Sequence, residues 1–451
     1  MPFQPDVLAP NPTQREPILT ILAAALKAVD PTEAVQRVLQ RTGDHLQIGE
    51  QQYDLNQFRR VFVVGAGKAG APMSQAVEAV LGKRIAAGLV VVKTDHLAET
   101  QVIELVEASH PVPDQAGFDA GQRLLALAEQ AEKEDLVIAL LSGGGSALLE
   151  APAGDLTLAD FQGLTKALLA CGATINEMNC LRKHCSAVKG GQLARAVAPA
   201  RLITLVLSDV VGSPLDVIAS GPTVPDTTTW QDAWAIVEKY NLADQLPSAI
   251  VRRLRAGLAG EIPDTPKPDD PSFASAQTLV VADNRVAAQA AVAQAQKLGY
   301  HALLLTTYLQ GEAQTAADFT IALAKEIQDT GSPVPRPACL ILGGETTVTL
   351  GEEPGHGGRN QELALAAAVR LQESEGITIV SLATDGTDGP TDSAGALADG
   401  GTVARGLQQG LDALEHLQRH DAYPYLRATQ DLLITGPTRT NVNDLIFIIV
   451  H

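Results

Sequence analysis

Five times along the chain, an apolar run of strand length ends in glycine, acidic or hydroxyl residues and is followed by a helix-like pattern. The five stretches are residues 60–73, 136–149, 202–226, 338–368 and 378–396. A strand that enters a helix through such a loop aims backbone N–H groups and a helix N-terminus at one place, which favours an anion. In open α/β sheets these loops lie at the carboxyl ends of the strands, where ligands bind. The repetition therefore predicts an α/β enzyme that handles phosphate.

The alternation of strand-like and helix-like segments predicts two α/β domains with mainly parallel sheets. We expect a Rossmann-like N-terminal domain over residues 1–265 and a C-terminal α/β domain over residues 273–451, with the active site in the cleft between them. The predicted boundary is the segment 260–272, which holds four prolines and four acidic residues. After it, residues 278–306 read as a strand–helix–strand unit. Near the start, residues 16–41 read as helical, with a break at Asp30–Pro31.

Charge and hydropathy exclude several classes of protein. The chain carries 52 acidic and 33 basic residues, a formal charge of −19, which disfavours nucleic acid and anionic membranes as partners. The first residues lack the basic and apolar parts of a secretory signal, and no apolar run is long enough to cross a bilayer. We therefore expect a cytoplasmic protein whose partners are small molecules. We also expect a monomer or a homodimer.

The first glycine loop, Gly65–Gly70, reads GAGKAG and matches the pattern G-x-G-x-x-G of dinucleotide-binding folds. The acidic residue that should follow about 20 positions later is only partly matched by Asp95. Lys68, inside the loop, is unusual for dinucleotide binding and better suited to clamp a phosphate. A helix-opening turn with a solvated lysine is the simpler alternative.

Two further loops follow strands in the N-terminal half. Residues 142–149 place three glycines between two serines, and such a run can form an anion-binding nest of N–H groups or a plain tight turn. Asp209 comes directly after a buried strand. Its carboxylate could serve as a general base or a metal ligand, and its simpler role is to cap the next helix.

The C-terminal loops add charged residues of both signs. Glu345 and Arg359 lie near the start of a clear helix, and Arg359 could bind phosphate or carboxylate through two parallel hydrogen bonds. Asp385 and Asp388 are candidate magnesium ligands or, equally, capping residues. The segment 182–194 adds a basic cluster that contains Lys189.

Taken in order, these segments resemble the glycerate 2-kinase family of bacterial type, which has a C-terminal MOFRL-type domain. The matching motifs are GAGKA, SHPVPD, SGGGSALL, RKHxSxxKGG, LSDVVG, ASGPTVPD, GGETTV, GGRNQELAL, TDGTDGPTD and TGPTxTNVND. The resemblance covers residues 16–451. The chain departs from the family pattern at Gly70, Pro72, Cys185 and Arg439, and of these Arg439 could alter substrate contacts.

The resemblance implies ATP-dependent phosphorylation of D-glycerate at the 2-hydroxyl, giving 2-phosphoglycerate and ADP, with Mg²⁺ as cofactor. It maps the catalytic residues onto Lys68, Asp209 and Arg359. The expected nucleotide contacts are Gly65, Gly67, Ser142, Gly143, Gly144, Gly145, Ser146, Lys189 and Glu345. The expected metal ligands are Asp385 and Asp388.

Two other functions remain open. An NAD(P)-dependent hydroxypyruvate reductase would use the G-x-G-x-x-G loop, but it needs an acid–base group at the carbonyl, often a histidine, and no histidine follows a strand in a convincing glycine loop. A non-catalytic sugar-phosphate sensor would keep the phosphate loops and would not need Asp209.

Overall fold

A computed structural model describes residue 3 and residues 12–351 and 353–451, with the side chains of 12–14 excepted. The chain forms two compact units. We call Pro31–Val281 the N-unit, and Ala282–His451 together with the segment that ends at Asp30 the C-unit. Most of the first residues, in which we expected no secretory signal, lie outside the described part of the chain.

The helices in chain order are α1 (Pro12–Ala28), α2 (Pro31–Val38), α3 (Gly70–Leu81), α4 (Gln115–Ala128), α5 (Gly145–Leu148), α6 (Leu158–Ala170), α7 (Ile175–His184), α8 (Gln192–Val197), α9 (Trp230–Lys239), α10 (Ser248–Leu258), α11 (Asn284–Lys297), α12 (Ala313–Thr330), α13 (Arg359–Arg370), α14 (Thr402–Gln408), α15 (Ala413–Gln418) and α16 (Ala422–Ala428). The strands in chain order are β1 (Leu39–Thr42), β2 (His45–Ile48), β3 (Gln51–Asp54), β4 (Val61–Ala66), β5 (Ile85–Lys93), β6 (Ile103–Ala108), β7 (Leu136–Leu141), β8 (Arg201–Leu207), β9 (Ala276–Ala282), β10 (His301–Glu312), β11 (Ala338–Thr347), β12 (Ile377–Ala383), β13 (Gly395–Asp399), β14 (Leu432–Leu433) and β15 (Asp444–Val450).

The N-unit is built on a six-stranded sheet of order β6-β5-β4-β7-β8-β9. Strands β4 to β8 pair in parallel, as the sequence predicts. Both β4 and β7 are buried along their whole length, which is typical of parallel strands covered on both faces. Parallel pairing places the loops after β4, β7 and β8 at one edge of the sheet. A small antiparallel sheet, β1-β2-β3, and a helical cluster of α6, α7, α9 and α10 complete the unit.

The C-unit contains a second six-stranded sheet of order β10-β11-β15-β12-β13-β14. For this sheet the expectation of mainly parallel strands is wrong, because among its described strands only β10 and β11 pair in parallel. The C-terminal strand β15 lies between β11 and β12 and runs antiparallel to both. No helix separates β12 from β13, so these strands pair antiparallel, as a short connection requires.

The compact units differ from the predicted domain ranges at both ends. Helix α1 packs against α11, and Arg15 forms a 2.8 Å ion pair with Asp431, so the N-terminal helix belongs to the C-unit. The predicted break is confirmed, since α1 ends at Ala28 and α2 begins at Pro31.

The proline-rich segment 260–272 lies inside the N-unit, so the prediction that it separates two domains does not match the compact units. Thr265 is buried, and its hydroxyl donates a 2.9 Å hydrogen bond to Asp226. Strand β9 then extends the first sheet beside β8, whereas β10 belongs to the second sheet. The predicted strand–helix–strand unit of residues 278–306 therefore contributes one strand to each sheet. No helix in the described part of the chain is long and apolar enough to span a membrane.

Candidate active site

Lys68, the glycines 143–145 and Asp209 lie together at the carboxyl edge of the N-unit sheet. They follow β4, β7 and β8, which are adjacent parallel strands. A Cβ atom placed on Gly143 would overlap the carboxylate of Asp209 and lie 3.1 Å from its Cβ. A Cβ atom placed on Gly144 would lie 3.3 Å from Cε of Lys68. The absence of side chains at these glycines is what lets the lysine and the carboxylate approach the same loop.

The first glycine loop uses its own backbone donors internally. The amide of Gly67 donates to Val91 O at 3.0 Å, that of Lys68 to Gly143 O at 2.9 Å, that of Ala69 to Ser142 Oγ at 3.0 Å, and that of Gly70 to Gly67 O at 3.0 Å. A dinucleotide fingerprint needs such amides to be free for the pyrophosphate. The loop therefore presents the Lys68 side chain rather than a set of N–H donors.

Three of the predicted nucleotide contacts, Gly65, Gly67 and Ser142, pack closely between the first two strand–loop segments. Gly65 lies within β4, where a side chain would collide with the backbone of Leu140. Gly67 has a φ of +142° and packs against Ser142, whose buried hydroxyl accepts the Ala69 amide. Close packing explains these residues without a ligand, so their contact with a nucleotide stays a prediction.

The second glycine loop has two backbone amides that make no hydrogen bond among the described residues. Among the hydrogen bonds of the described residues, Gly145 N donates to Ser142 O at 3.1 Å, whereas the amides of Gly143 and Gly144 have no acceptor. Gly144 has a φ of +79°, in the left-handed region that glycine adopts without strain. The anion-nest interpretation thus fits the second loop better than the first.

His110 joins this site, although the sequence analysis assigned it no role. A Cβ atom on Gly144 would lie 3.1 Å from His110 Cδ2 and 3.3 Å from its Nε2, so the imidazole and Lys68 cover the same glycine. Burial, reinforced by the positive charges of Lys68, Lys93 and His96, lowers the pKa of His110 to about 4. The ring is therefore neutral at pH 7. The sequence signal that could have pointed to His110 is the SHPVPD motif, which follows the strand β6 directly.

Ser146 belongs to a short chain of side-chain hydrogen bonds beneath the second loop. Its Oγ lies 2.6 Å from Ser220 Oγ, and the Ser220 hydroxyl donates to Asn179 Oδ1 at 3.0 Å. Ser220 is buried and has a φ of +60°. The network fixes the orientation of Ser146 at the beginning of α5.

Lys189 is fully buried and forms an ion pair with the buried carboxylate of Glu150. Burial lowers its pKa to about 8, although the charge of Glu150 opposes this effect. The rest of the predicted basic cluster is also paired. Arg182 contacts Glu150 at 2.8 Å, Lys183 contacts Asp226 at 3.2 Å, and His184 contacts Asp264 at 3.0 Å. The cluster is an internal ion network, and its surroundings do not support the prediction that Lys189 contacts a nucleotide.

Arg359, the first residue of α13, lies in the C-unit within an ion-pair cluster. Its guanidinium binds Asp444 through two hydrogen bonds of 2.6 and 3.1 Å and donates a third, of 2.8 Å, to Glu345. Burial alone would lower the pKa of Arg359, but Asp444 outweighs it and raises the pKa. Burial raises the pKa of Asp444 to about 6 against the effect of Arg359. The arginine fork that we expected to grip a ligand is thus already occupied by two carboxylates.

Asp388 occupies the amino end of the same helix. Its two carboxylate oxygens accept the backbone amides of Asn360 at 3.1 Å and Gln361 at 2.8 Å, and the side chain is buried. Burial raises its pKa despite these bonds. The geometry favours the capping interpretation for Asp388. Asp385 is half-buried and accepts the amide of Thr387 at 3.1 Å, and no cluster of three metal-binding side chains occurs among the described residues.

The C-unit contains a cavity of about 750 Å³, a volume within the usual range for small-molecule sites. Its walls include Glu345, Arg359, Asp385 and Asp388. The predicted site residues of the C-unit thus share one cavity, and those of the N-unit converge on the second glycine loop, with the exception of the buried Lys189.

Two family models match the chain. A family described only as a domain of unknown function, DUF4147, covers residues 18–255, and the MOFRL family covers residues 338–444. The chain is 39% identical to glycerate 2-kinase of Pyrococcus horikoshii over 97% of both chains. It is 41% identical to D-glycerate 2-kinase of Thermotoga maritima over 95% of this chain and 96% of that protein.

A protein of Agrobacterium vitis that has hydroxypyruvate reductase as its provisional name is 43% identical over 87% of both chains. Among solved structures, a glycerate kinase from Thermotoga maritima superposes with a TM-score of 0.88 and 40% identity, covering 97% of this chain and all of that one.

Proposed function

Because this chain belongs to the glycerate 2-kinase family, we propose that it transfers the γ-phosphoryl group of ATP to the 2-hydroxyl of D-glycerate, giving 2-phosphoglycerate and ADP. The observation that carries this proposal is the convergence of Lys68 and Asp209 on adjacent glycines of one loop. Phosphoryl transfer needs positive charge at the transferring group and a residue that orients the attacking hydroxyl. Lys68 and Asp209 supply these two elements.

In the reaction, the 2-oxygen of glycerate forms a bond to the γ-phosphorus while the bond to the β–γ bridging oxygen breaks. Asp209 orients the hydroxyl and accepts its proton. The ammonium group of Lys68 stabilises the charge on the phosphoryl oxygens, and the amides of Gly143 and Gly144 can donate to the same oxygens. ADP leaves with the electron pair of the broken bond.

The residues of this chain fit a Mg²⁺ ion only if the nucleotide phosphates supply part of its coordination shell. Mg²⁺ in such sites usually has one or two protein carboxylates and completes its shell with phosphates and water, so the absence of a larger cluster among the described residues does not disagree with it. Since Asp388 caps α13, Asp385 is the better candidate of the two predicted ligands. When bound, the ion would neutralise phosphate charge.

Arg359 remains a proposed catalytic residue, with Glu345 as its partner. The guanidinium lies in the wall of the C-unit cavity, and about a third of its side chain is exposed. The predicted position of the active site in a cleft between domains stays a prediction. We also propose a cytoplasmic location, a monomeric or homodimeric state and no nucleic-acid partner, in keeping with the charge of −19.

The reductase alternative rests on the name of the Agrobacterium vitis relative and on the G-x-G-x-x-G pattern. The loop amides are already hydrogen-bonded within the protein, which argues against a dinucleotide at this loop. The neutral imidazole of His110 near the site is the one feature that a reductase would also use.

Incubation of the purified protein with D-glycerate and MgATP, and separately with hydroxypyruvate and NADH or NADPH, tests the proposal. We expect ADP formation that depends on D-glycerate and no oxidation of the reduced dinucleotides. Dinucleotide oxidation without ADP formation would replace the kinase proposal with the reductase, and binding without turnover would favour a sensor.

A further inference from the structure

The carboxyl edge of the N-unit sheet carries other basic side chains besides Lys68. Lys93 is the last residue of β5, and in the parallel register it lies beside Ala108, the last residue of β6. His110 follows two residues later. The loop after β4 carries Lys68, so three adjacent strands each bring one basic side chain to this edge.

The side chain of Lys93 lies on the face of the sheet that holds the second glycine loop. Side chains alternate between the two faces along a strand, so Lys93 shares a face with Val91 and with its partner Ala108. Val91 and Ala108 pack in one core cluster with Leu148 of α5. Helix α3 packs on the other face, where Gly70 approaches Val90 and Val92.

This cluster is unusual in its setting. Lys68, Lys93, His96 and His110 are all only half-buried, and electrostatic interactions with Lys68, Lys93 and His96 contribute to the lowered pKa of His110. The cluster lies in a chain with a formal charge of −19. The ammonium groups of Lys68 and Lys93 both act on the neutral His110 ring, and a bound anion would offset the repulsion between these two like charges.

We propose that His110 and Lys93 form an anion subsite next to Lys68, which binds carboxylate or phosphate oxygens of the substrates. His110 contributes a neutral N–H donor directly over Gly144, and Lys93 contributes charge from the neighbouring strand. The ligands named for this subsite are the substrates of the proposed kinase, so their identity rests on the proposed function. The two sources of anionic oxygen are the carboxylate of D-glycerate and the phosphates of the nucleotide.

Calorimetric binding of two probes, D-glycerate and the magnesium complex of a non-hydrolysable ATP analogue, tests the subsite. Lys93→Met should weaken one of the two by about tenfold, as expected for the loss of a charge-assisted contact. Lys83→Met is the matched control, because Lys83 is exposed and lies in the turn that precedes the amino end of β5, on the opposite edge of the sheet. The control should bind both probes like the wild type.

His110→Ala should weaken the same probe as Lys93→Met, with His45→Ala, in the exposed part of β2, as its control. Weaker glycerate binding would assign the subsite to the carboxylate, and weaker analogue binding would assign it to the phosphates. The titration of His110 followed by NMR should also shift to higher pH when that probe binds, because an anion favours the imidazolium.

Unchanged affinity for both probes in folded Lys93→Met and His110→Ala proteins would overturn the subsite even if the wild type is an active kinase. A wild type that binds both probes but transfers no phosphoryl group would contradict the proposed function and leave the subsite standing.

Discussion

The contact between Gly143 and Asp209 allows a test of the proposed general base that does not alter the carboxylate itself. In Gly143→Ala, the new methyl group would overlap the Asp209 carboxylate. To restore a normal contact distance, the carboxylate must move by about 1 Å. A misplacement of about 1 Å in a reacting group can reduce turnover by about 100-fold. We therefore expect kcat to fall by about two orders of magnitude.

The same geometry predicts that the folded state is little affected. Gly143 does not have the positive φ that a side chain would strain, and the colliding atoms belong to the end of a side chain that can rotate away. The free energy of unfolding should change by less than about 1 kcal/mol, a typical value outside special backbone positions. Steady-state kinetics and urea denaturation of the same preparation measure both effects.

A double-mutant cycle with Asp209→Ala decides whether the methyl group acts through the carboxylate. Once Asp209 is truncated, Gly143→Ala should cost almost no further activity, since coupled residues are strongly non-additive. Full additivity of the two losses would refute this mechanism. A Gly143→Ala enzyme with normal kcat would show that Asp209 only shapes the turn.

Lys68→Met should reduce kcat by about 10²- to 10³-fold with an unchanged circular dichroism spectrum, because it removes the proposed electrostatic stabiliser from a loop; near-normal turnover would contradict the proposed role of Lys68. Arg359→Leu leaves the buried Asp444 carboxylate unpaired and should lower the free energy of unfolding by about 3 kcal/mol; an unchanged urea midpoint would mean that the pair contributes nothing. The folded-state pKa of His110 is about 4, below its ordinary value of 6.5, so the unfolded chain binds a proton at a higher pH than the folded chain does. Protonation therefore favours the unfolded state, and the free energy of unfolding decreases as pH falls from 6.5 to 4. His110→Gln should therefore lose less stability than the wild type between about pH 7 and about pH 5, measured by urea midpoints, and equal losses would show that the imidazole remains hydrated.

The parallel strands β4 to β8 and the helices α3 and α4 of the N-unit were predictable because their signals are local. Runs such as LVIALL are apolar throughout, and an amphipathic helix such as α4 follows a strand and a proline turn. The antiparallel sheet of the C-unit was not predictable, because the position of β15 between β11 and β12 depends on pairing between segments that are distant in the sequence. Likewise, nothing local shows that residues 260–272 pack against Asp226.

The same distinction between local signals and contacts of distant segments applies to the candidate active site. The placement of Lys68 and Asp209 at one edge of the sheet was predictable because each lies in the loop after a buried parallel strand, whereas their catalytic roles stay a prediction. The ion-pair partners of the charged residues were not predictable. Lys189 and Arg359 read as free cations in the sequence, but Lys189 pairs with Glu150 and Arg359 pairs with Asp444. The position of His110 beside Gly144 was missed because it depends on how the loop after β7 packs, and the SHPVPD motif alone does not show that contact.

The most direct test of the central claim is the position of the phosphate in the product. After incubation with D-glycerate and MgATP, ¹H–³¹P correlation NMR reports which carbon bears the phosphate. The account predicts a correlation from phosphorus to the single proton on carbon 2, and its loss in Asp209→Ala. A correlation to the two protons on carbon 3, or the absence of any phosphorylated product from the folded wild type, would contradict it.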